Sequence, residues 1–247
     1  MQTLLKERKT IRKYKQEPIS DQILEEMLEC AFRAPTTGNM QLYSVVINKD
    51  EKMKGLLAPT HFNQGTFTNA PVSLTFCADY NRFIKWCECR NAQPGYDNFL
   101  SFMTAAMDAL LVAQSFCLLA ESKGYGTCFL GTTAYNAERI AKILELPKFV
   151  VPILTLTIGV PDEKAQLQDR LPASALIHHE TYKDYTSEDI DQIYKEKESL
   201  PESSKFIAEN GKQTLAQVYT DIRYKKADNE AFSAALLSFL KGQGFMG

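Results

Sequence analysis

Residues 99–121 are apolar on almost every face, and this segment restricts the possible folds more than any other. The polar residues that interrupt it are Ser101, Thr104, Asp108, Gln114, Ser115 and Glu121. A helix that is apolar all round belongs in a protein core, at a subunit interface or in a membrane. A membrane span would place Asp108 near the bilayer centre, at a cost of about 2.5–3.5 kcal/mol. We therefore predict a core or subunit-interface helix.

The composition is typical of a soluble globular protein. Apolar residues make up 45% and charged residues 23% of the 247 residues, and the net charge is −2. So small a net charge provides no global field that would favour nucleic acid or an anionic membrane. The chain has six cysteines, and no signal-peptide pattern precedes them. Reduced thiols are therefore expected rather than a disulfide framework. The predicted location is cytoplasmic.

The pattern of residues predicts strands interspersed with helices, followed by a helical C-terminal part. Strands are expected at 43–48, 72–78 and 150–159, where β-branched and apolar residues are dense, and a turn followed by a strand is expected at 124–130. Helices are expected after the N-cap Ser20, at 51–57, at 99–121 and after Asn136. Residues 81–98 show no evident period and are predicted to be a long loop, and 195–205 a linker. Three helical patterns follow residue 186, and the order predicts an α+β core with a helical arm.

Several common chemical motifs are absent from the sequence. Gly124, Gly126 and Gly131 have the wrong spacing for a dinucleotide-binding loop, and a strand rather than a helix follows them. The cysteine and histidine spacings do not match a zinc site, and no G-x-S-x-G elbow occurs. We predict no metal site.

The segment 6–15, called the basic start below, contains Lys6, Arg8, Lys9, Arg12, Lys13 and Lys15 against the single acid Glu7. A targeting sequence is disfavoured because no apolar stretch follows and acids soon appear. Guanidinium groups, an ammonium and the Thr10 hydroxyl are the donors that a phosphate monoester needs. A solvated charged turn explains the same residues. The loop "RAPTTGN" also has two interpretations: it is either a plain loop or a set of donors for a polar ligand.

Four segments in order resemble the nitroreductase family of flavoproteins: "ERKTIRKY…EPIS", "RAPTTGNMQ", "GYGTCFLG" and "VPDEKAQLQDRLPASALIHHETY". They are most similar to the larger, oxygen-insensitive NADPH nitroreductase and flavin reductase subgroup. The resemblance covers about residues 5–182. It implies an α+β fold with a mixed, largely antiparallel sheet flanked by helices, and a homodimer with FMN at its interface. It also implies a core domain at 1–182 and a helical arm at 183–247 that packs on the core and the partner.

The resemblance also implies which residues bind FMN. Arg8 and Arg170 would bind the phosphate with help from Lys9 and Thr10, and Arg12 would reach the ribityl and pyrimidine side. At Gln168 the subgroup has a lysine, which implies a weaker phosphate contact.

The flavin ring would be contacted by three further segments. Thr36, Thr37 and Asn39 match loop positions that contact the flavin, and Gln64 matches a glutamine near the ring edge. The backbone of the third segment would pass close to the isoalloxazine: Phe129, Leu130, Gly131 and Thr132.

The implied function is an FMN-dependent NAD(P)H oxidoreductase that works by ping-pong hydride transfer. NADPH or NADH would reduce the flavin, and a nitroaromatic, a quinone or free flavin would reoxidise it. No side chain is expected to act as an obligatory acid or base. Only Lys205 and Lys212 stand where the subgroup has arginines that bind the 2′-phosphate of NADPH, so the nicotinamide preference stays open.

Two other functions remain open from the sequence. One is a different reductase on the same fold, which supplies flavin or removes halogen. The other is a flavin-binding or sensor protein without turnover. Phe83, Trp86 and Tyr96 in the stretch 81–98 would line the substrate side or serve only as loop packing.

Overall fold

A four-stranded antiparallel sheet forms the centre of the protein. The computed structural model describes all 247 residues, Met1–Gly247. The strands are β1 (Tyr43–Asn48), β2 (Val72–Asp79), β3 (Gly126–Leu130) and β4 (Val150–Gly159), and their order in the sheet is β1-β2-β4-β3. Every neighbouring pair runs antiparallel. Every residue of β2 is buried, as expected for an interior strand that reads as a continuous apolar run.

Helices surround this sheet, so the predicted α+β class with a largely antiparallel sheet is confirmed. They are α1 (Gln2–Glu7), α2 (Asp21–Ala31), α3 (Glu51–Leu57), α4 (Gly65–Thr68), α5 (Asn81–Glu88), α6 (Phe99–Ser122), α7 (Thr132–Tyr135), α8 (Ala137–Ile143), α9 (Ser187–Ser199), α10 (Pro201–Glu209), α11 (Leu215–Val218) and α12 (Lys226–Gln243). The predicted cap of α2 is confirmed, because the Ser20 hydroxyl accepts a hydrogen bond from the Ile23 N–H. Asn136 precedes α8 as predicted, but its side-chain amide donates to the Thr60 carbonyl instead of capping the helix.

Helix α6 packs its small and apolar residues against the sheet. Ala109, Val112 and Phe116 have no exposed surface and belong to one cluster with residues of α2, β2 and β4. The helix is long and apolar enough to cross a membrane by length and composition, but half of its most apolar window is buried inside the fold. Asp108 is also buried and fully hydrogen bonded there. These contacts confirm the prediction of a core helix, while its remaining apolar face is exposed.

The prediction of a loop over residues 81–98 is wrong for its first half. Helix α5 occupies Asn81–Glu88, and only residues 89–98 lack a helix or strand. The apolar residues Tyr80, Phe83, Ile84 and Cys87 do recur at helical spacing; the first three share one core cluster, and Cys87 is buried. The polar residues between them and the nearby Pro94 and Gly95 hid this short pattern.

The predicted linker at 195–205 is also wrong. Helix α9 runs to Ser199, and α10 begins at Pro201, after a single extended residue. Proline is favoured in the first turn of a helix, because its missing N–H would have no intrahelical partner there. The polar composition of this run reflects exposed helix faces rather than a flexible connection.

The chain separates into two compact units. One comprises Met1–Gln166 together with Phe232–Gly247, and the other comprises Leu167–Ala231. In the first unit the C-terminal Phe245 is fully buried and contacts the rings of Phe102 and Phe149. These boundaries differ from the predicted division at residue 182. The predicted packing of residues 183–247 on a dimer partner stays a prediction.

Candidate functional site

The basic start lies along the edge strand β3. The Ile11 N–H donates to the Thr127 carbonyl at 3.0 Å, and the Tyr14 hydroxyl donates to the Ile11 carbonyl at 2.7 Å. The Tyr14 hydroxyl also lies 2.8 Å from Thr157 Oγ1 on β4. A Cβ atom on Gly126 would lie 2.6 Å from Ile11 Cβ, so a glycine is needed for this close approach. The start is therefore a fixed part of the sheet edge.

The charges of the basic start differ in their surroundings. Arg8 turns inward and forms an ion pair with Glu121 at 3.2 Å, with side chains that are 19% and 8% exposed. Its guanidinium also donates to Cys117 Sγ at 3.5 Å, and burial raises the pKa of that thiol. Lys9 and Arg12 are exposed, and neither has a carboxylate within ion-pair distance. Four exposed cations of this segment, Lys6, Lys9, Arg12 and Lys13, therefore have no ion-pair partner, whereas Arg8 is paired.

The backbone of the basic start is held by an acid from beyond β4. Glu163 Oε1 accepts hydrogen bonds from the N–H groups of Arg12 and Lys13, the latter at 3.0 Å. Thr10 lies half-buried between Lys9 and Ile11. Because Glu163 binds the backbone rather than the guanidinium, the Arg12 side chain is left without an ion-pair partner.

The loop "PTTGN" is organised by a buried carboxylate from α6. Asp108 is 2% exposed and accepts hydrogen bonds from the Thr37 N–H at 3.0 Å and the Thr37 hydroxyl at 3.2 Å. It also accepts from the Thr36 hydroxyl and, at 3.4 Å, from the Leu42 N–H. Both threonine hydroxyls are therefore donors to Asp108. The side chain of Asn39 makes no hydrogen bond within the chain, and it is exposed.

The Gln64 loop and the end of β3 are joined by a buried histidine. His61 Nδ1 lies 2.8 Å from Thr132 Oγ1, and the ring stacks on Phe67 with centroids 4.4 Å apart. Only 1% of His61 is exposed, and its Nε2 has no partner. Burial lowers the pKa of His61 to about 4, so the ring is neutral at pH 7. Gln64 itself is exposed after two residues with positive φ, Phe62 and Asn63.

The segment Phe129–Thr132 ends β3 beside open space. Leu130 and Thr132 are buried, Phe129 is half-buried and Gly131 is exposed. The φ of Gly131 is −66°, which any residue can adopt, and an added Cβ would meet no atom within 4 Å. A side chain at this position would therefore cause no clash within the chain.

Gln168 and Arg170 belong to the second unit. Both are exposed, and the Arg170 guanidinium donates to the Asp169 carbonyl at 2.8 Å. The Asp169 carboxylate pairs with Lys197 at 2.8 Å. Arg170 and Lys197 line a cavity of about 540 Å³ together with Tyr194 and Tyr219. Asp169 also lines this cavity, so Lys197 is neutralised there and Arg170 is the cation without an ion-pair partner.

The structure therefore brings together some of the predicted site residues. The basic start, the segment 129–132 and the Gln64 loop are linked through β3 and the His61–Thr132 contact. No hydrogen bond or ion pair joins residues 36–39 to these groups within one chain. Whether all of these residues bind one ligand stays a prediction.

Two residues that organise the site were missed by the sequence reasoning. Asp108 did carry a signal, since it is an isolated acid in the middle of an apolar helix, and a buried acid needs donors. His61 carried none, because its partner Thr132 lies far away in the sequence.

Comparisons with known proteins now identify the family. The model of the nitroreductase family matches residues 5–160. The chain belongs to the nitroreductase family. An FMN reductase [NAD(P)H] from Bacillus subtilis is 33% identical over 180 residues, which cover 72% of each chain.

Solved structures of other proteins share the whole fold. A crystal structure from Bacteroides fragilis NCTC 9343 is 55% identical, with a TM-score of 0.98 over 99% of this chain and 100% of that chain. Nitroreductase A from Vibrio parahaemolyticus is 26% identical, with a TM-score of 0.83 over 98% and 96% of the two chains. The similarity to solved nitroreductase-family structures thus extends beyond the stretch that the family model covers.

We expect the buried His61 to make the stability of this family member depend on pH. In the unfolded chain His61 takes up a proton near its ordinary pKa of about 6.5, whereas in the folded chain it does so only near pH 4. The unfolded state thus binds more protons in this window, so the free energy of unfolding falls as the pH drops from 6.5 toward 4. The free energy of unfolding that His61 contributes is thereby reduced by about 3 kcal/mol at pH 4.

Urea denaturation between pH 7.5 and 4.5, at one protein concentration, measures the effect. As the pH drops over this range, the free energy of unfolding of His61→Gln should fall less steeply than that of the wild-type chain. His179 is exposed, so His179→Gln should behave as wild type. Parallel curves for His61→Gln and the wild type would contradict the assignment.

Proposed function

We propose that this chain is an FMN-dependent NAD(P)H oxidoreductase that reduces nitroaromatics, quinones or free flavin in a ping-pong cycle. Membership of the nitroreductase family and the similarity to an NAD(P)H-dependent FMN reductase support the oxidoreductase activity and the FMN cofactor. The choice among acceptors, the ping-pong order and a cytoplasmic location are proposals. When bound, FMN accepts hydride from reduced nicotinamide and passes electrons on to a second acceptor.

The observation that carries this proposal is the group of exposed, unpaired cations in the basic start, which lies along the edge strand β3. Lys9 and Arg12 have no ion-pair partners, which suits an anionic phosphate. Gly131 offers an unobstructed backbone to a flat ring. The residues present therefore fit FMN, and Lys9, Arg12 and Thr10 of the basic start would hold it. The inward Arg8 adds positive charge, which Glu121 partly compensates.

A second proposal concerns assembly. The exposed face of α6 carries an apolar stripe, formed by Leu100, Met103, Met107, Leu110 and Leu111, each 40–74% exposed. These positions recur at helical spacing, so they line one face, and a contiguous apolar surface of this kind is typical of an interface. A homodimer that buries the stripe would also let residues 36–39 of one protomer serve the site of its partner. Their lack of hydrogen bonds to the other site residues within one chain supports this arrangement.

The nicotinamide partner, NADPH or NADH, is left open by the residues of the second unit. Lys212 pairs with Asp221 at 2.8 Å and Lys205 approaches Glu209 at 3.7 Å. Both lysines thus already face carboxylates, which reduces their value as ligands of a 2′-phosphate. The rates with the two nucleotides must decide the preference.

An absorbance spectrum of the purified protein, followed by anaerobic addition of NADPH and separately NADH, tests the function. We expect a flavin spectrum that bleaches with at least one nucleotide and recovers when a nitroaromatic, a quinone or free flavin is added. A flavin spectrum that neither nucleotide bleaches would support a flavin-binding or sensor protein. A colourless protein that takes up no added FMN would overturn the proposal.

Substitution of Gly131 tests the placement of the flavin. Gly131→Val should weaken FMN retention about tenfold or more, because the new side chain occupies space that the ring needs. The ratio of flavin to protein absorbance after dialysis measures the retention. Gly55→Val is the matched control, since a Cβ at Gly55 also meets no atom within 4 Å. Equal flavin content in both variants would remove Gly131 from the site.

Substitution within the apolar stripe tests the dimer. Met107→Lys should favour monomers, because a dimer that buries the stripe would then bury unpaired charges at a cost of about 3 kcal/mol. Light scattering coupled to size-exclusion chromatography measures the mass over a dilution series. Leu56→Lys is the control, because Leu56 is 50% and Met107 51% exposed. An unchanged dimer in Met107→Lys would place the interface elsewhere.

A further inference from the structure

A second concave surface lies where α5 faces the loop that follows α2. Its cavity of about 540 Å³ is lined by Gly38, Asn39, Met40, Arg82, Phe83 and Trp86, and we call it the aromatic pocket. One wall is the loop that Asp108 fixes through Thr36 and Thr37. The other wall is the first part of α5. Both walls therefore rest on ordered elements of the first unit.

The aromatic wall is supported from behind. The rings of Phe83 and Trp86 lie 5.3 Å apart, and Phe83 also contacts Tyr80 and Tyr96, at 6.5 Å and 5.5 Å between centroids. Tyr80 is buried, whereas Trp86 is 56% exposed. A large aromatic ring that is held from one side and open on the other is a stacking platform for a planar ligand. Packing of α5 within the fold explains the position of Phe83, but it does not explain why the Trp86 indole is exposed.

Arg82 is the only charged residue among those that line the pocket. Its guanidinium donates to the Gln41 carbonyl, and its backbone N–H donates to the Asp79 carboxylate at 3.3 Å. No carboxylate lies within ion-pair distance of the guanidinium, which is exposed. A guanidinium has five N–H donors, so most of them remain free for a ligand. The pocket thus combines an aromatic platform with an uncompensated positive charge.

We propose that the aromatic pocket determines acceptor specificity by binding planar aromatic molecules that carry an anionic substituent. The ring stacks on Trp86, and the carboxylate, sulfonate or phosphate accepts hydrogen bonds from Arg82. Asn39, whose side chain has no partner within the chain, offers a further polar contact on the opposite wall. The inference rests on the proposed function in two respects: the bound molecule is an electron acceptor, and the proposed dimer brings residues 36–39 of one protomer to the flavin site of its partner.

Trp86 provides a direct signal, because it is the only tryptophan in the chain. The oxidised, FMN-loaded protein is titrated with 4-nitrobenzoate and with 4-nitrobenzamide, without reduced nicotinamide. These probes share a ring and a nitro group, which quenches indole fluorescence, and differ in charge. N-acetyltryptophanamide corrects for absorption by the probe. We expect saturable quenching at a concentration about fivefold lower for 4-nitrobenzoate, the preference that a charge-assisted hydrogen bond to an exposed arginine provides.

Variants separate the contribution of charge from that of folding. Arg82→Gln should bind the two probes with nearly equal affinity, and Arg82→Lys should keep part of the preference. Arg90→Gln, which changes another exposed arginine just after α5, should behave as wild type. Quenching that never saturates in the wild type, or a preference that survives in Arg82→Gln, would overturn the proposal.

Kinetics with the same probes connects the pocket with turnover. Arg82→Gln should raise KM for 4-nitrobenzoate about fivefold, leave KM for 4-nitrobenzamide and the FMN content unchanged, and leave kcat nearly constant. Saturable binding without nicotinamide oxidation would refute the proposed function and leave the pocket standing. Turnover of both probes with equal KM and no saturable quenching would refute the pocket and leave the function standing.

Discussion

The buried carboxylate of Asp108 holds together the two parts of the protein that matter most for its site. It lies in the middle of α6, which supplies the core face beneath the sheet, and it binds the loop that follows α2. A buried acid without donors would be strongly destabilising, so the loop and the helix stabilise each other. The hydroxyls of Thr36 and Thr37 and the N–H of Thr37 are the donors that the loop supplies. Gly38–Met40, which form one wall of the aromatic pocket, are therefore positioned by the buried Asp108 carboxylate.

The other constraint is the exposed edge of β3. An unpaired edge strand is a liability, and here the basic start covers it through the bond from Ile11 to Thr127 and the hydroxyl of Tyr14. The lack of a side chain at Gly126 permits this contact. The same contact determines which cations face outward: Arg8 is drawn to Glu121, while Lys9 and Arg12 remain free. Covering the edge and presenting positive charge to a ligand are thus two results of one packing arrangement.

Prediction from the sequence succeeded where the signal is local and strong. Runs of apolar and β-branched residues located the four strands, and the all-apolar segment located α6, because such patterns reflect burial directly. It failed at α5 and at the junction of α9 and α10, where short amphipathic patterns lie among polar residues. The basic start and the loop with Thr36 and Thr37 were singled out by their donor groups, whereas the individual flavin contacts came from a resemblance. The contacts of Asp108 and His61 could not be predicted, because their partners are distant in the sequence.

By itself the sequence determined the class of fold, the family and the identities of the donor-rich segments, since these depend on local composition and motifs. Only the tertiary structure decided which of those donors are free. Thr36 and Thr37 are engaged by Asp108, Arg8 is paired, and Lys9 and Arg12 are open. It also decided that Arg82 and Trp86 share a cavity with Asn39. The physical reason is that ion pairs and cavities form between residues that are distant in the sequence. A local sequence pattern does not predict such contacts.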